Sequence, residues 1–335
     1  EIIHIPLPSF SFDKATEAST HLFYCLRRAN VRTRSERRPV FDDEGEEEIE
    51  RELNGQFGSL LATLWEDLVE PVLERLGYLR PQSTDSQLPR LTWCTTGPLT
   101  FLPLHAAGRY YEPIARTFDF VVSSYTPTLS ALLNPNQGDS EFRGVLAVGQ
   151  ADTLPWTVVE LDRLQDQTKH LPFTRLDGPD ASPAAVLEEI QRNSWVHFAC
   201  HASQDIANPM KSALRLHGGD LDLATITRES IDHGKLAFLS ACETARGDEG
   251  LPEESVHLAA GMILAGFPDV IATMWSIDDK DGPLVAEKVY QHLLKDGVPD
   301  TQEAARALHM AVGSLREKVR EDAFVRWVPY VHIGR

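Results

Sequence analysis

Two apolar segments of the chain end in side chains whose chemistry is complementary. Residues 235–245 form an apolar run that closes on small and polar residues around Cys242, and residues 195–201 form a shorter run that closes on His201. Each run is typical of a buried parallel strand. In open parallel sheets the reactive groups lie beyond the carboxyl ends of the strands, because helices cover both faces. A thiol and an imidazole at two such ends predict a Cys/His pair for nucleophilic catalysis.

The same residues also have an ordinary structural interpretation. Cys242 is then a small buried hydrophobic residue at a strand end, and His201 is a loop histidine with satisfied hydrogen bonds. His197 has the same parity as His201 along its strand, so the two could share a metal. Because the motif supplies no carboxylate ligand, we predict no metal and no other cofactor. Cys200 points to the opposite face and is expected in the core.

The composition limits the partners and the compartment. The chain has 335 residues, with 32 Lys and Arg residues against 50 Asp and Glu residues, and its formal net charge is -18. This charge argues against a nucleic-acid surface and favours solubility and cationic partners. The four cysteines form no CxxC motif, and we find neither a signal peptide nor an apolar run of membrane-spanning length. We therefore expect a cytoplasmic protein without a membrane span. Since it starts at Glu1 rather than Met, we expect an excised part of something longer.

The first part of the chain contains elements that pack rather than react. Residues 49–76 carry apolar side chains at helical spacing and predict a long helix that is bent or interrupted at Pro71. Strands are predicted at residues 90–94 and 118–125. His105 lies between them among apolar residues, and we expect it to be a hydrogen-bonded structural histidine.

A cluster of turn-forming residues at 134–140 divides the chain. Residues 1–140 are predicted to form an N-terminal helical and β packing region. In residues 141–335 strands alternate with helices, which predicts an α/β unit with a mostly parallel sheet.

Four short motifs occur in order along the chain. They are GPLTFLPLHAAG at residues 97–108, HFACHA at 197–202, LSACETA at 239–245 and IATMWSIDD at 271–279. Together they resemble the CHAT domain, a caspase-like family related to separase. The resemblance implies a caspase-like three-layer α/β sandwich, with residues 141–335 as the catalytic unit and residues 1–140 as a candidate pseudo-caspase-like half. It also implies a cysteine endopeptidase with a His/Cys dyad and frequent attachment to helical repeat regions outside this chain. Ala202 departs from the family pattern, which has Gly after the catalytic histidine, and its methyl group narrows the pocket.

The resemblance implies a Cys/His dyad, and the properties of a thiol and an imidazole explain its chemistry. A free thiol has a pKa of about 8.5, so Cys242 needs an imidazole to take its proton or to stabilise the thiolate. His201 would protonate the leaving amine and then activate water. The backbone N–H groups of Cys242 and Ala202 are candidate donors to the oxyanion. No conventional third member of a triad is visible.

Acidic side chains predict a preference for basic substrates. The segment that contains Asp278 and Asp279 resembles the separase segment whose acidic residue receives a basic side chain. We predict that one of these two aspartates binds Arg or, less well, Lys at the P1 position of the substrate. Alternatively, both cap the helix that begins near Gly282. Trp275 either flanks the same pocket or belongs to the core. Asp205 adds negative potential at this end of the sheet.

The sequence thus predicts a cysteine endopeptidase acting on protein or peptide substrates, with a helical repeat region or an activator outside this chain as a further partner. A catalytically silent CHAT module that binds a peptide in the same cleft is the main alternative. A thiol hydrolase of small acyl substrates is a third, although acyl-carrier and cofactor motifs are missing. Rapid alkylation of Cys242 near neutral pH would separate the enzymes from the binding module.

Overall fold

The computed structural model of the chain describes residues 2–29, 43–79, 87–133, 141–203, 205, 208–240 and 258–335. Cys242 and the turn cluster at 134–140 lie outside these residues. The division into two domains at residue 140 therefore stays a prediction.

Helices lie on both faces of a central sheet. In chain order they are α1 (Phe12–Arg28), α2 (Asp43–Leu64), α3 (Glu70–Leu76), α4 (Thr117–Phe120), α5 (Leu129–Leu133), α6 (Trp156–Gln167), α7 (Pro183–Ile190), α8 (Leu223–Ile226), α9 (Leu258–Ala265), α10 (Gly282–Leu293), α11 (Ala304–Val319) and α12 (Phe324–Trp327). None of the helices in the described part of the chain combines the length and hydrophobicity that a membrane span requires.

The strands form one large sheet and one small sheet. They are β1 (Arg90–Trp93), β2 (Val122–Tyr125), β3 (Val145–Gly149), β4 (Phe173–Asp177), β5 (Trp195–Ala199), β6 (His201–Ser203), β7 (Ala213–Leu216), β8 (Gly219–Asp222), β9 (Leu236–Leu239), β10 (Asp269–Thr273) and β11 (Tyr330–Gly334). The order in the large sheet is β1-β2-β11-β10-β9-β5-β3-β4, and the small sheet has the order β6-β7-β8.

The centre of the large sheet is parallel and completely buried. β10, β9, β5 and β3 pair in parallel with one another, and every residue of these four strands is buried. Strands with both faces covered read as continuous apolar runs, and this is the pattern from which they were predicted. The prediction of a mostly parallel α/β sheet is confirmed.

Two apolar cores give the molecule its three layers. On one face, side chains such as Phe238 of β9 pack with Leu61 of α2, Tyr290 of α10 and Leu308 of α11. On the other face, Phe198 of β5 belongs to a second core with residues of α7, α8 and α9. The two cores hold helix, sheet and helix layers together, since burying the apolar face of each element requires a partner layer.

The long helix near the N-terminus is interrupted just before Pro71, the residue at which the sequence predicts a bend or an interruption. α2 and α3 form one continuous helical segment, but residues Trp65–Val69 between them have π-helical hydrogen bonding. Pro71 stands in the first turn of α3. Because proline has no N–H and its ring clashes with the carbonyl four residues earlier, a wider turn before it relieves the conflict. Gly77, with φ of 76°, then ends α3 in the left-handed conformation.

The N-terminal region contributes to the large sheet and to the first core. β1 pairs with β2, and β2 pairs with β11 through the register of Tyr125 with Ile333. Leu22 of α1 and Phe57 of α2 belong to the same core as the helices of the C-terminal part. Packing is therefore the observed contribution of this region to the fold.

His105 is a partly buried, hydrogen-bonded structural histidine, as the sequence predicts. Its Nδ1 lies 2.9 Å from the hydroxyl of Tyr125, and its Nε2 lies 2.9 Å from the carbonyl oxygen of Val328. The Tyr125 hydroxyl also accepts the backbone N–H of His105. These contacts attach the short helical turn around His105 to β2 and to the segment before β11.

The lowered pKa of His105 predicts that the protein loses stability in acid. Burial lowers the pKa of its imidazole from 6.5 to about 4. Below the ordinary pKa, protons bind to the unfolded chain first, which stabilises the unfolded state. The contribution of His105 to the free energy of unfolding should be complete above pH 6.5 and should be lost as the pH falls to about 4. The loss should amount to ~3 kcal/mol at most.

Chemical denaturation at a series of pH values measures this effect. The variant His105→Gln keeps hydrogen-bonding capacity but does not titrate, so its stability should change less over this pH window. His309, whose pKa is also lowered to about 4, acts in the same window and accounts for part of the remaining slope. An identical pH slope in native protein and variant would contradict the assignment.

Candidate active site

The topology brings the histidine segment and the cysteine segment to the same edge of the sheet. β5 and β9 are neighbours in parallel, with Phe198 in register with Leu239. His201 follows the end of β5, and Ser240 follows the end of β9, two residues before Cys242. Since parallel strands end at the same edge, both segments leave the sheet there. Cys242 itself lies outside the described residues, so its pairing with His201 stays a prediction.

The loop after β3 holds His201 through two hydrogen bonds. The backbone N–H of His201 donates to Oε1 of Gln150 at 3.2 Å, and Nε2 of the ring lies 2.9 Å from Oγ1 of Thr153. The imidazole is partly exposed. The contact with Thr153 orients the ring through Nε2. Sequence reasoning missed both partners, although they follow directly on the buried β3 run and so lie at the same sheet edge.

The backbone at Ala202 bears on its predicted role as an oxyanion donor. β6 pairs antiparallel with β7, with Ala202 opposite Leu214. Successive N–H groups of a strand point to opposite sides. Since the N–H of His201 points to Gln150, we expect the N–H of Ala202 to point towards Leu214. The role of Ala202 in oxyanion binding stays a prediction, and this orientation opposes it.

Asp278 and Asp279 have different surroundings. Oδ2 of Asp279 accepts the backbone N–H of Trp156 at 3.1 Å, and Trp156 is the first residue of α6. Asp279 therefore satisfies one of the free N–H groups at the start of α6, not of α10 as the capping alternative assumes. Asp278 is exposed, and its Oδ1 accepts the N–H of Lys280 at 3.0 Å. Of the two, Asp278 offers its carboxylate to solvent.

A third aspartate of this segment is neutralised by an arginine. Asp281 is completely buried, and Arg326 reaches its two carboxylate oxygens with Nε at 2.8 Å and Nη2 at 2.6 Å. These hydrogen bonds hold the pKa of Arg326 above its usual range, and Asp278 adds to the effect. The paired geometry fixes the segment that carries Asp278 against α12.

Trp275 and Asp205, the other predicted substrate-binding residues, lie in structural positions. Trp275 is 2% exposed, its ring packs against Phe57, and its Nε1 donates to the carbonyl oxygen of Val325 at 2.9 Å. Asp205 accepts the N–H of Asn208 on its carboxylate at 2.9 Å. Trp275 thus has the core contacts of the packing alternative and Asp205 those of a turn residue, and a substrate role for either stays a prediction.

A buried hydrogen-bonded array surrounds His197 of β5, the strand that leads to His201. The ring of His197 lies between Glu160 of α6 and Tyr290 of α10, with Nε2 at 3.0 Å from Oε1 of Glu160 and Nδ1 at 3.3 Å from the Tyr290 hydroxyl. Burial raises the pKa of Tyr290 well above its usual range, so the hydroxyl stays protonated and donates to Nδ1. The hydrogen on Nε2 is then left for the Glu160 carboxylate.

The array also reaches the cysteine segment. A Cβ at Gly282 would lie 2.6 Å from Oε2 of Glu160 and 3.2 Å from Oγ of Ser240, so the three groups converge at the start of α10. Glycine permits this close approach. The residue type of His197 is compatible with metal binding, but its partners here are a carboxylate and a phenol. Among the described residues, no group of three or more His, Cys, Asp or Glu side chains is placed to hold a metal ion.

Comparisons with known proteins agree with this architecture. The model of the CHAT domain family matches residues 58–335. Comparison with curated protein sequences found no match. Among solved structures, the chain is similar to RgpB of Porphyromonas gingivalis in the complex of its pro- and mature domains, with a TM-score of 0.57 and 10% identity. That similarity covers 88% of this chain and 77% of the RgpB chain.

A second similar structure is the separase–securin complex of Saccharomyces cerevisiae, with a TM-score of 0.66 and 10% identity. The match covers 98% of this chain but only 28% of the separase chain. Identities this low show the fold alone. The family match spans most of the chain, and the fold is that of the caspase-like cysteine peptidases, so the chain belongs to the CHAT domain family.

Proposed function

We propose that this chain is a cysteine endopeptidase in which Cys242 is the nucleophile and His201 is its acid–base partner. The observation that carries the proposal is the attachment of His201 to Gln150 and Thr153 at the sheet edge where β9 leads into the cysteine segment. A histidine whose backbone and ring are each held by a hydrogen bond at this edge is suited to transferring protons. The caspase-like fold supports a peptidase function.

The chemistry proceeds in two halves. The thiolate of Cys242 attacks the scissile carbonyl carbon and forms a C–S bond, while the backbone N–H of Cys242 stabilises the oxyanion. The C–N bond then breaks, and His201 gives its proton to the leaving amine. A water molecule, deprotonated by His201, next attacks the thioester, which releases the acid product and restores the thiol.

In this proposal Thr153 acts as the third member of a catalytic triad, a role that the sequence does not reveal. If its oxygen accepts the hydrogen of Nε2, the neutral ring carries its lone pair on Nδ1, and the ring is held in one orientation. The buried array of Glu160, His197 and Tyr290 links β5, α6 and α10. The strand that leads to His201 is thus tied to two helices by hydrogen bonds.

Asp278 is the residue that we assign to a basic P1 side chain. It is the exposed carboxylate of its segment, since Asp279 binds α6 and Asp281 binds Arg326. An exposed acid can receive a guanidinium or ammonium group without displacing an internal partner. RgpB is described as an Arg-specific cysteine proteinase, which supports the same preference here.

The pairing of Ala202 with Leu214 favours the second candidate, a silent module that binds a peptide in the same cleft. The expected orientation of the Ala202 N–H towards Leu214 removes one predicted oxyanion donor. With one donor fewer, such a cleft would bind a peptide better than it stabilises a transition state. In either case, we propose that a helical repeat region or an activator outside this chain is a further partner.

The first prediction concerns cleavage of a mixed-sequence peptide library. The native chain should cut after Arg and, less often, after Lys, and the variants Cys242→Ala and His201→Ala should make no such cuts. Mass spectrometry of the products locates the bonds, and the alkylation rate of Cys242 near neutral pH is measured in parallel. Cuts that persist in Cys242→Ala would contradict the proposed nucleophile. Slow alkylation without any cut would favour the peptide-binding module.

A second prediction separates the two aspartates. Asp278→Asn should lower kcat/KM for peptides with basic P1 residues by about 10- to 100-fold, because a hydrogen bond between charged groups is lost. Asp279→Asn is the matched control, since its carboxylate binds the N-terminus of α6 instead. Cys242 should be alkylated at the native rate in Asp278→Asn. Equal kinetic losses in both variants would refute the assignment to Asp278.

A third prediction concerns Thr153. Thr153→Val has nearly the same shape without the hydroxyl, and it should lower kcat by about 10-fold with little change in KM, because the imidazole loses its orienting hydrogen bond. Thr153→Ser retains the hydroxyl and should restore most of the rate. If both variants lose kcat equally, the hydroxyl does not orient His201.

A further inference from the structure

One face of α11 carries positive charge in a chain that is acidic overall. Arg306, His309 and Arg316 follow one another at spacings of three and seven residues, which places them along the same side of the helix. Arg306 donates to the carbonyl oxygen of Leu88 and lies 3.7 Å from a carboxylate oxygen of Glu303. His309 and Arg316 make no comparable hydrogen bond or ion pair with a described residue.

Arg316 is partly buried without an anionic partner. Its guanidinium carbon lies 3.6 Å from the ring centroid of Phe118 and 5.4 Å from that of Trp327. Stacking of this kind occupies the face of the guanidinium and leaves its N–H edge for other groups. Within the described part of the chain, Arg316 makes no hydrogen bond or ion pair. The nearby acids Asp119 and Glu321 are paired with Arg116 instead.

His309 is the second group without a partner. Its imidazole makes no hydrogen bond to any described residue, although burial, together with the charges of Arg316 and Arg306, lowers its pKa to about 4. The two arginines therefore place positive charge beside His309. Glu303 offsets part of the charge of Arg306, whereas Arg316 forms no ion pair with a described residue.

A cavity lies directly beside these groups. It has a volume of about 50 Å³, is open to solvent on one side, and is lined mainly by residues of α11, β2 and β11. Arg316 and His309 form part of its lining, and Phe118, Leu308, Val312 and Trp327 supply apolar walls. None of the residues assigned above to the candidate active site lines it.

We propose that this cavity is a binding site for a carboxylate on a short aliphatic stem, a group of the size of propionate. The carboxylate would accept hydrogen bonds from the free edge of Arg316 and from His309, and the stem would contact the apolar walls. The volume corresponds to roughly three or four water molecules, which suits such a group but not a large ligand. A phosphate would leave oxygens against apolar walls unsatisfied. The site is independent of the peptidase proposal.

Two sources carry this chemistry, namely a free small carboxylate and the side chain of a glutamate in a peptide. Saturation-transfer NMR on the native chain, with propionate and its neutral counterpart propionamide, tests the shared requirement for negative charge. Propionate should bind with a dissociation constant on the order of 1 mM, and propionamide should bind at least 10-fold more weakly. Tighter binding of N-acetylglutamate amide than of propionate would identify an acidic peptide side chain as the ligand. The reverse order would identify a free carboxylate.

Variants locate the binding on the molecule. Arg316→Gln should weaken propionate binding by at least 10-fold, and His309→Gln should weaken it less. Arg320→Gln is the matched control, since Arg320 is exposed and paired with Asp322, and it should bind propionate like the native chain. Equal binding of propionate and propionamide by the native chain would overturn the proposal, whether or not Arg316→Gln folds. Native-like propionate binding by a folded Arg316→Gln would overturn it as well.

Discussion

The parallel pairing of β3, β5 and β9 is the constraint on which the rest of the structure depends. Each strand is buried on both faces, so none has room for a free polar group along its length. The polar side chains that could react therefore lie in the residues that follow each strand. The loop with Thr153, the histidine His201 and the segment leading to Cys242 are therefore gathered at one edge, although they are distant in sequence.

The sequence predicts strands better than contacts. Apolar runs indicate β5 and β9, and small and polar residues at their ends indicate where reactive groups lie. Thr153 carries no such signal, because its contact with His201 depends on the fold and not on a motif. Glu160 is missed for a related reason. A charged residue on a helix normally faces solvent, yet here it is 2% exposed and paired with His197, which a helical pattern cannot reveal.

The segment from 274 to 281 shows how one charge pattern serves three purposes. Asp279 binds the start of α6, Asp281 is buried against Arg326, and Asp278 faces solvent. Proximity in sequence favours a cap on the next helix, α10, but the neighbouring α6 provides the free N–H group instead. Which acid is available to a ligand is thus decided by packing between elements, and a single sequence contains little information about that.

The position of β11 imposes an order on the assembly of the sheet. β11 lies between β10 and β2, so within the described part of the chain β1 and β2 join the other strands of the large sheet through β11. A pair of short strands is marginally stable by itself. While the polypeptide emerges from a ribosome, β1 and β2 must therefore wait for residues 330–334 before they acquire a permanent neighbour. Such long-range pairing slows folding. Until it forms, the hydrophobic surface of β1 and β2 stays exposed, as in the folding intermediates that chaperones bind.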